Sequence, residues 1–351
     1  MFNRNLPEGV EAVVKNLEIP WSIAFSPEGK LYFTEREGRL SVLQDDEVTI
    51  IKEFDVEARK GDEGGLLGLA FHPNFTNNNY LYVYYTYNEE GNIWNRIVRY
   101  GLEASALIDE EIILDNIPGG SVHNGGRIKF GPDEKLYATT GEIWKKEKAQ
   151  DLDFLGGKIL RINPDGSVPA DNPLSNSLIY SYGNRNPQGL AWHPETGQLY
   201  SSEHGPSGEN GWRAHDEINI IRPGGNYGWP HILGYGEEPD YIDPIYQTGD
   251  ETWAPSGICF VKGSRYPGWK NLLLIANLRG RHLRAIKLEG SEQDEIELNI
   301  PLYSNQLGRL RDIEQGPDGY LYLCTSNRDG RGDPKRDDDM IVRILEPPTL
   351  D

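Results

Sequence analysis

One phrase recurs along this chain: an apolar run, a turn built from Pro, Gly, Asp or Asn, and a second run rich in Leu and Tyr. It occurs as WSIAFSPEGKLYFTE from Trp21, LLGLAFHPNFTNNNYLYVYYT from Leu66, GGRIKFGPDEKLYATTGE from Gly125 and NPQGLAWHPETGQLYSSEHG from Asn186. It returns as RLRDIEQGPDGYLYLCTSNRDG from Arg309, with a degenerate copy, APSGICFVKGSRYPGWKNLLLIANLRG, from Ala254. Each copy reads as strand, tight turn, strand. Between copies stand RLSVLQ, NRIVRYGL, GKILRINPDG, DEINIIRPGG, HLRAIKLEG and MIVRILEP, which add one or two strands to each unit. Six units repeating at roughly 45 to 65 residues are blade-sized. A β-sandwich array or a β-helix would repeat at a shorter, more regular period. The expected fold is all-β, a six-bladed β-propeller of four-stranded antiparallel blades, forming a single domain over residues 1–351. A ring must close, and EGVEAVVKNL, ahead of the first copy, is placed to supply the outer strand of the last blade.

Composition agrees and excludes several functions. With 40 Gly, 23 Pro, 19 Tyr and 8 Trp, the chain suits turn-rich, aromatic-packed sheets. Its formal net charge of −20 argues against a nucleic-acid partner, which would need a basic patch. No apolar run is long enough to span a bilayer. The stretch MFNRNLPEGVEAVV lacks the apolar core of a signal peptide. The two cysteines, Cys259 and Cys324, sit in apolar strand-like runs and read as buried free thiols, too few for a zinc site. No G-x-G-x-x-G in a βαβ setting and no G-x-S-x-G elbow is present, so NAD binding and a serine hydrolase are not expected.

Propeller geometry sorts the polar residues. The first strand of each blade lines the channel and the second returns, so residues just before the first and just after the second share one channel mouth. Before first strands stand Glu63, His123, Arg185, Asn186, Arg309 and Arg311. After second strands stand Glu142, Glu203 to Pro206, Arg279 and Asn327. His123 and Glu142 bracket one hairpin and should meet at its open end, and a His beside a carboxylate is the raw material of a general base. Against it stands the plain alternative of a loop histidine and a solvated glutamate. Any one of the four arginines could simply pair with a carboxylate. Four at one mouth of an acidic protein favour a polyanionic small molecule. His204 is near enough to touch a ligand, whereas His72 and His193 fall on the opposite face. The run GDPKRDDD, 332–339, looks like an ion-binding run but reads better as a polar loop before the last strand, and Asp216 and Glu217 as a calcium second shell or a solvated strand edge.

The segments HNGGRI, GKILRINPDGSVPADNP, GNRNPQGLAW, SEHGP, DEINIIRPGGNYGWP and GRLRD resemble the soluble quinoprotein glucose/sorbosone dehydrogenases, nearest the aldose sugar dehydrogenase branch, over about the whole chain. The resemblance implies oxidation of an aldose C1 hydroxyl to a lactone, with pyrroloquinoline quinone (PQQ) and Ca2+ as cofactors. It implies His123 as base, Glu142 as its carboxylate partner and Arg185 as a third catalytic residue. Arg185 and Asn186 match the pair beside the quinone carbonyls. Thr252, Arg279, Arg309 and Arg311 match positions that hold the cofactor's carboxylates and ring, with Glu63 and His204 also at the cofactor. Gly205 and Pro206 match main-chain carbonyl ligands of the cofactor's calcium. A second, structural calcium is implied near NYGWPHILGYGEE, with Tyr227, Leu233, Tyr235 and Glu237 as candidates.

Departures are visible. Glu63 stands where the glucose-oxidising relatives have Gln, Arg279 where they have Lys, and Val122 where they have Asp. The last touches the sugar side and argues against a glucose preference. Short loops between blades predict an open site with broad aldose tolerance and lack dimer-forming insertions, so a monomer is expected, using aldoses and an electron acceptor of unassigned identity. The resemblance implies a periplasmic or extracellular setting, with a cytoplasmic one left open by the N-terminal sequence. Two other readings compete: a calcium-dependent lactonase-like hydrolase, and a non-catalytic binding propeller.

Overall fold

The computed structural model describes residues 2–236 and 238–350. The chain forms six four-stranded antiparallel sheets arranged as the blades of a propeller. Five blades are continuous in sequence, over 20–53, 66–118, 128–182, 187–247 and 255–302. The sixth joins Leu310–Gln315, Leu321–Thr325 and Ile341–Ile344 to the N-terminal strand Val10–Val14, with Val10 opposite Ile344 and Ala12 opposite Val342. EGVEAVV thus closes the ring as the sequence predicts. Among the described residues helix is confined to a four-residue turn at Phe75–Asn78 and two short 3-10 segments.

The first strands are apolar because both faces are covered. PWSIAF, LLGLAF, PQGLAW, PSGICF and LRDIEQ stand side by side around the channel, and their residues are buried almost throughout. They approach so closely that a Cβ on Gly68 would overlap the carbonyl oxygen of Gly126, and one on Gly189 that of Ser256. That is the reason for glycine inside these strands. The same five strands carry a register shift, for example between Pro20 and Ser22 and between Pro187 and Gly189. A bulge at this place re-aims the residues just before the strand, which form the channel mouth.

A buried polar strap crosses the channel. Arg127 Nη1 donates to Asp312 at 2.9 Å and to Ser22 Oγ at 3.2 Å, and its Nε donates to the Gln188 carbonyl at 3.0 Å. Asp312 also accepts the Ile23 N–H at 3.0 Å, and the guanidinium lies 4.4 Å from the Trp21 ring. Blades one, three, four and six are thereby tied at the axis. Apolar clusters fill the spaces between neighbouring blades, such as Trp21, Leu67, Tyr84, Ile97, Ala138 and Leu160. Both cysteines are buried and free, as expected.

Candidate functional site

The channel opens at both ends. One opening, about 600 Å3, is walled by the aromatic ends of first strands, Phe25, Phe71, Phe130, Trp192 and Phe260, and carries none of the predicted site residues. The other is a cleft of about 900 Å3 into which Glu63, His123, Arg185 and His204 reach, together with Gly205, Pro206, Thr252, Arg279 and Arg309. The mouth inferred from strand order is therefore the mouth observed.

His123 sits in a left-handed turn (φ 56°) held on three sides. Its N–H donates to Glu63 Oε2 at 3.0 Å, the Asn124 carbonyl accepts the Tyr84 hydroxyl at 3.0 Å, and the Gly125 N–H donates to Asn186 Oδ1 at 3.0 Å. Its Nδ1 lies 2.5 Å from Glu142 Oε1, both side chains being buried. Glu142 reaches this point because Gly141 lets its strand end pass beneath the histidine loop; a Cβ there would overlap the His123 carbonyl. With Nδ1–H given to the carboxylate, Nε2 keeps its lone pair and is the nitrogen left for chemistry. Glu142 Oε2 is buried without a partner, so the imidazole is the side-chain contact through which this carboxylate acts.

Glu63 and His204 flank the pair with opposite charge preferences. Burial pushes the Glu63 carboxyl up, but His123, Arg331 at 2.8 Å and His204 bring it down to about 2, so it is an anion. Burial pushes His204 down to about 3, Glu63 opposing and Arg311 and Arg185 adding, so it is neutral, with Nε2 unpartnered.

The arginines divide into two kinds. Arg185 is ion-paired with Glu209 and donates to the His204 carbonyl at 3.2 Å, and Arg309 is paired with Asp329 at 2.7 Å. Arg311 is buried off the cleft wall and finds only neutral partners among the described residues, Gln188 at 2.7 Å and Ser256 Oγ at 3.5 Å, leaving its Nε without a partner. Burial lowers its pKa to about 9, with Arg309 and Arg36 adding and Asp329 and Glu63 opposing. Arg279 is exposed on the cleft wall. Asn186 does not line the cleft; it supports the histidine loop, and its buried Nδ2 is unpartnered. Cationic side chains on the cleft wall, Arg279 and Arg309 among them, are what a carboxylate-bearing ligand would meet.

Behind Gly205 and Pro206 lies a small second cavity, walled also by Glu203, Glu217, Tyr227 and Leu233. A Cβ on Gly205 would overlap the Ala214 carbonyl, which keeps this turn close-packed, and its N–H is held by Asp216 at 2.9 Å. Asp216 also accepts the Trp253 and Ala254 N–H groups at 2.6 and 2.9 Å, so it braces backbone and is no solvated edge. Glu203 and Glu217 face each other across adjacent strands. Burial raises both carboxyls, and the neighbouring charge of Glu203 raises Glu217 further. Of the residues predicted for a structural calcium, Tyr227 and Leu233 reach this cavity. The Tyr227 hydroxyl is already spent on the Ile220 carbonyl at 2.6 Å and the Arg222 N–H at 2.9 Å, leaving only its carbonyl to ligate. Tyr235 is largely exposed and off the wall, because its hydroxyl is turned to the Gln247 backbone, and Glu237 lies outside the described residues. Among the described residues no cluster of three or more His, Cys, Asp or Glu is positioned to hold a metal by side chains alone.

The Glucose / Sorbosone dehydrogenase family model matches residues 17–342. The chain belongs to the glucose/sorbosone dehydrogenase family. A solved structure from Thermus thermophilus, described as a candidate glucose dehydrogenase, is 44% identical over 97% of this chain and 100% of that one, with a TM-score of 0.89. The PQQ-bound aldose sugar dehydrogenase of Streptomyces coelicolor is 36% identical over 97% and 99%, with a TM-score of 0.84. Aldose sugar dehydrogenase YliI of Escherichia coli is 31% identical over 92% of this chain and 91% of its own. This member of the glucose/sorbosone dehydrogenase family is accordingly a sugar dehydrogenase, an oxidoreductase. Among the described residues no helix is long and apolar enough to cross a membrane.

Several residues of the mouth escape sequence reasoning. Arg213, Arg281 and Arg331 line the cleft, and Trp144 lies against His123. Arg331 had a signal, standing just past a second strand in SNRDGRG; Trp144 stands two residues past Glu142 in a turn whose shape the sequence does not announce. The run 332–339 departs from the polar-loop reading. Asp337, Asp338 and Asp339 are buried, Asp338 holding Arg4 and Asp339 accepting the Asn327 and Arg328 N–H groups at 2.5 and 3.1 Å. These acids staple the loop to its neighbours.

Proposed function

We propose that this chain is a PQQ- and calcium-dependent aldose dehydrogenase that oxidises the C1 hydroxyl of aldoses to lactones with His123 as general base. The observation that carries the reading is the His123–Glu142 pair opening on a cleft walled by Arg185, Arg279 and Arg309, with Arg311 buried off that wall and, among the described residues, hydrogen-bonded only to neutral partners. Bound there, the quinone would accept the C1 hydrogen as hydride, with its two electrons, and calcium would polarise its carbonyl. His123 Nε2 takes the hydroxyl proton, and the Glu142 carboxylate stabilises the imidazolium that results. Glu63 fixes the His123 backbone, so its role is to hold the base in place. Arg311, Arg279 and Arg309 would hold the cofactor's carboxylates, with Arg185, Asn186, His204 and Thr252 around it. The carbonyls of Gly205 and Pro206 would ligate the cofactor's calcium, and the Glu203–Glu217 cavity, with the carbonyls of Tyr227 and Leu233, a second one.

The lactonase reading is less well supported. It needs free carboxylates at the channel axis, and there Asp312 is bound by Arg127, Glu63 by Arg331 and Asp216 by three backbone N–H groups. The same proposal takes residues 1–351 as one domain, acting as a monomer.

The test is reconstitution. Cofactor-free protein given PQQ and calcium is expected to reduce a dye with glucose or xylose, and His123→Ala to lose at least about 10²-fold in kcat. Folded protein that binds no quinone at micromolar concentration would end this reading.

A further inference from the structure

We infer that Trp144 is the platform on which the sugar ring rests, and that substrates are recognised by an apolar pyranose face more than by individual hydroxyls. The inference rests on the function proposed above.

The turn after Glu142 is closed by the Lys145 N–H donating to the Glu142 carbonyl at 2.8 Å. Its two central residues, Ile143 (φ 51°) and Trp144 (φ 62°), are both left-handed, as in a type I′ turn. Such positions favour Gly and Asn, and a β-branched residue and an indole are poor choices for them. Strain of this kind persists where the surroundings impose it and collects at ligand clamps. Here the turn is pinned at both ends of the dyad. The Glu142 N–H donates to the Arg185 carbonyl at 3.0 Å, and Ile143 packs on Gly120, next to the histidine loop.

What the strained turn accomplishes is the placement of one ring. The Trp144 centroid lies 4.9 Å from that of His123, tilted 38°, yet the side chain is 56% exposed and lines the cleft. An indole used only to pack would be covered. One held over the base with its remaining surface open offers an apolar face beside the nitrogen that acts. Val122, on the same cleft, adds a second apolar surface next to His123. A pyranose with equatorial hydroxyls presents flat C–H faces to such walls. Lacking only the C6 group, xylose would be held about as well as glucose.

The variants Trp144→Gly and Trp144→Phe, reconstituted with PQQ and calcium, separate the possibilities. Glycine relieves the left-handed strain, so W144G is expected to melt no lower than the native protein while its KM for glucose and xylose rises about five- to tenfold with kcat within about twofold. W144F is expected to stay near native. A merely structural role, holding His123, would instead lower the melting temperature and kcat. Independently of turnover, the difference in tryptophan emission between native and W144F protein is expected to change on titration with xylose. A native KM in W144G, or a flat difference, overturns the platform and leaves the dehydrogenase reading standing. Absence of turnover in the native protein overturns the dehydrogenase reading instead.

Discussion

At the level of single residues the site is an arrangement of two charge states around one imidazole. Glu142 has one oxygen on His123 Nδ1 and the other unpartnered, so replacing it by Gln removes the charge and offers an amide that can turn either way. The expected result for Glu142→Gln in the reconstituted enzyme is a fall in kcat of roughly 10²- to 10⁴-fold with KM little changed. A native kcat in this variant would show that the pair does not act together. His123 and Glu142 were legible because they bracket one hairpin, whose returning strand brings both to the same end. Arg311 was legible by position but not by condition, since nothing local tells that its neighbour across the channel would be the neutral Gln188. Trp144 was illegible: its place depends on two left-handed residues that no propensity favours.

Strands set the next level. Glu203 ends the second strand of blade four and Glu217 begins the third, directly opposite it. Like charges facing across a ladder destabilise it, and burial enlarges the effect. Both folded-state pKa values lie above the ordinary 4.5, so the metal-free fold binds more protons here than the unfolded chain does. This contribution to stability is complete below about pH 4.5 and is lost as pH rises through the raised values. With EGTA present, the urea midpoint should therefore carry a downward component from about pH 4.5 to pH 8 that is absent in Glu217→Gln. Calcium should raise the midpoint of the native protein most at the alkaline end; identical curves with calcium and EGTA would remove the cation from this cavity. The strands themselves were plain in the sequence, their alternation and turns marking nearly all of them. The pairing of these two carboxylates was not, because a loop of 13 residues, 204–216, separates them and register is a property of the folded ladder.

For the molecule as a whole, the Arg127–Asp312 strap joins residues 185 apart in sequence and ties four blades at the axis. A charged residue inside an apolar first strand was the visible sign, in GRIKF and LRDIEQ, but the partner was not, since only ring closure brings them together. Asp312→Ala leaves a buried guanidinium uncompensated, and a loss of about 3–5 kcal/mol in urea unfolding is expected; a change under about 1 kcal/mol would show that water reaches the axis. Ring closure also sets an order of events. The strand Val10–Val14 is made long before its partner Ile341–Ile344. During synthesis the early blades wait with an unpaired edge, and the channel mouth, drawn from loops of several blades, does not exist until the seam is sewn. A chain clipped before residue 341 has lost more than a strand: it exposes a ready-made template that a second copy can fill. Crowded refolding then favours strand-exchanged dimers, and dilution favours the closed ring.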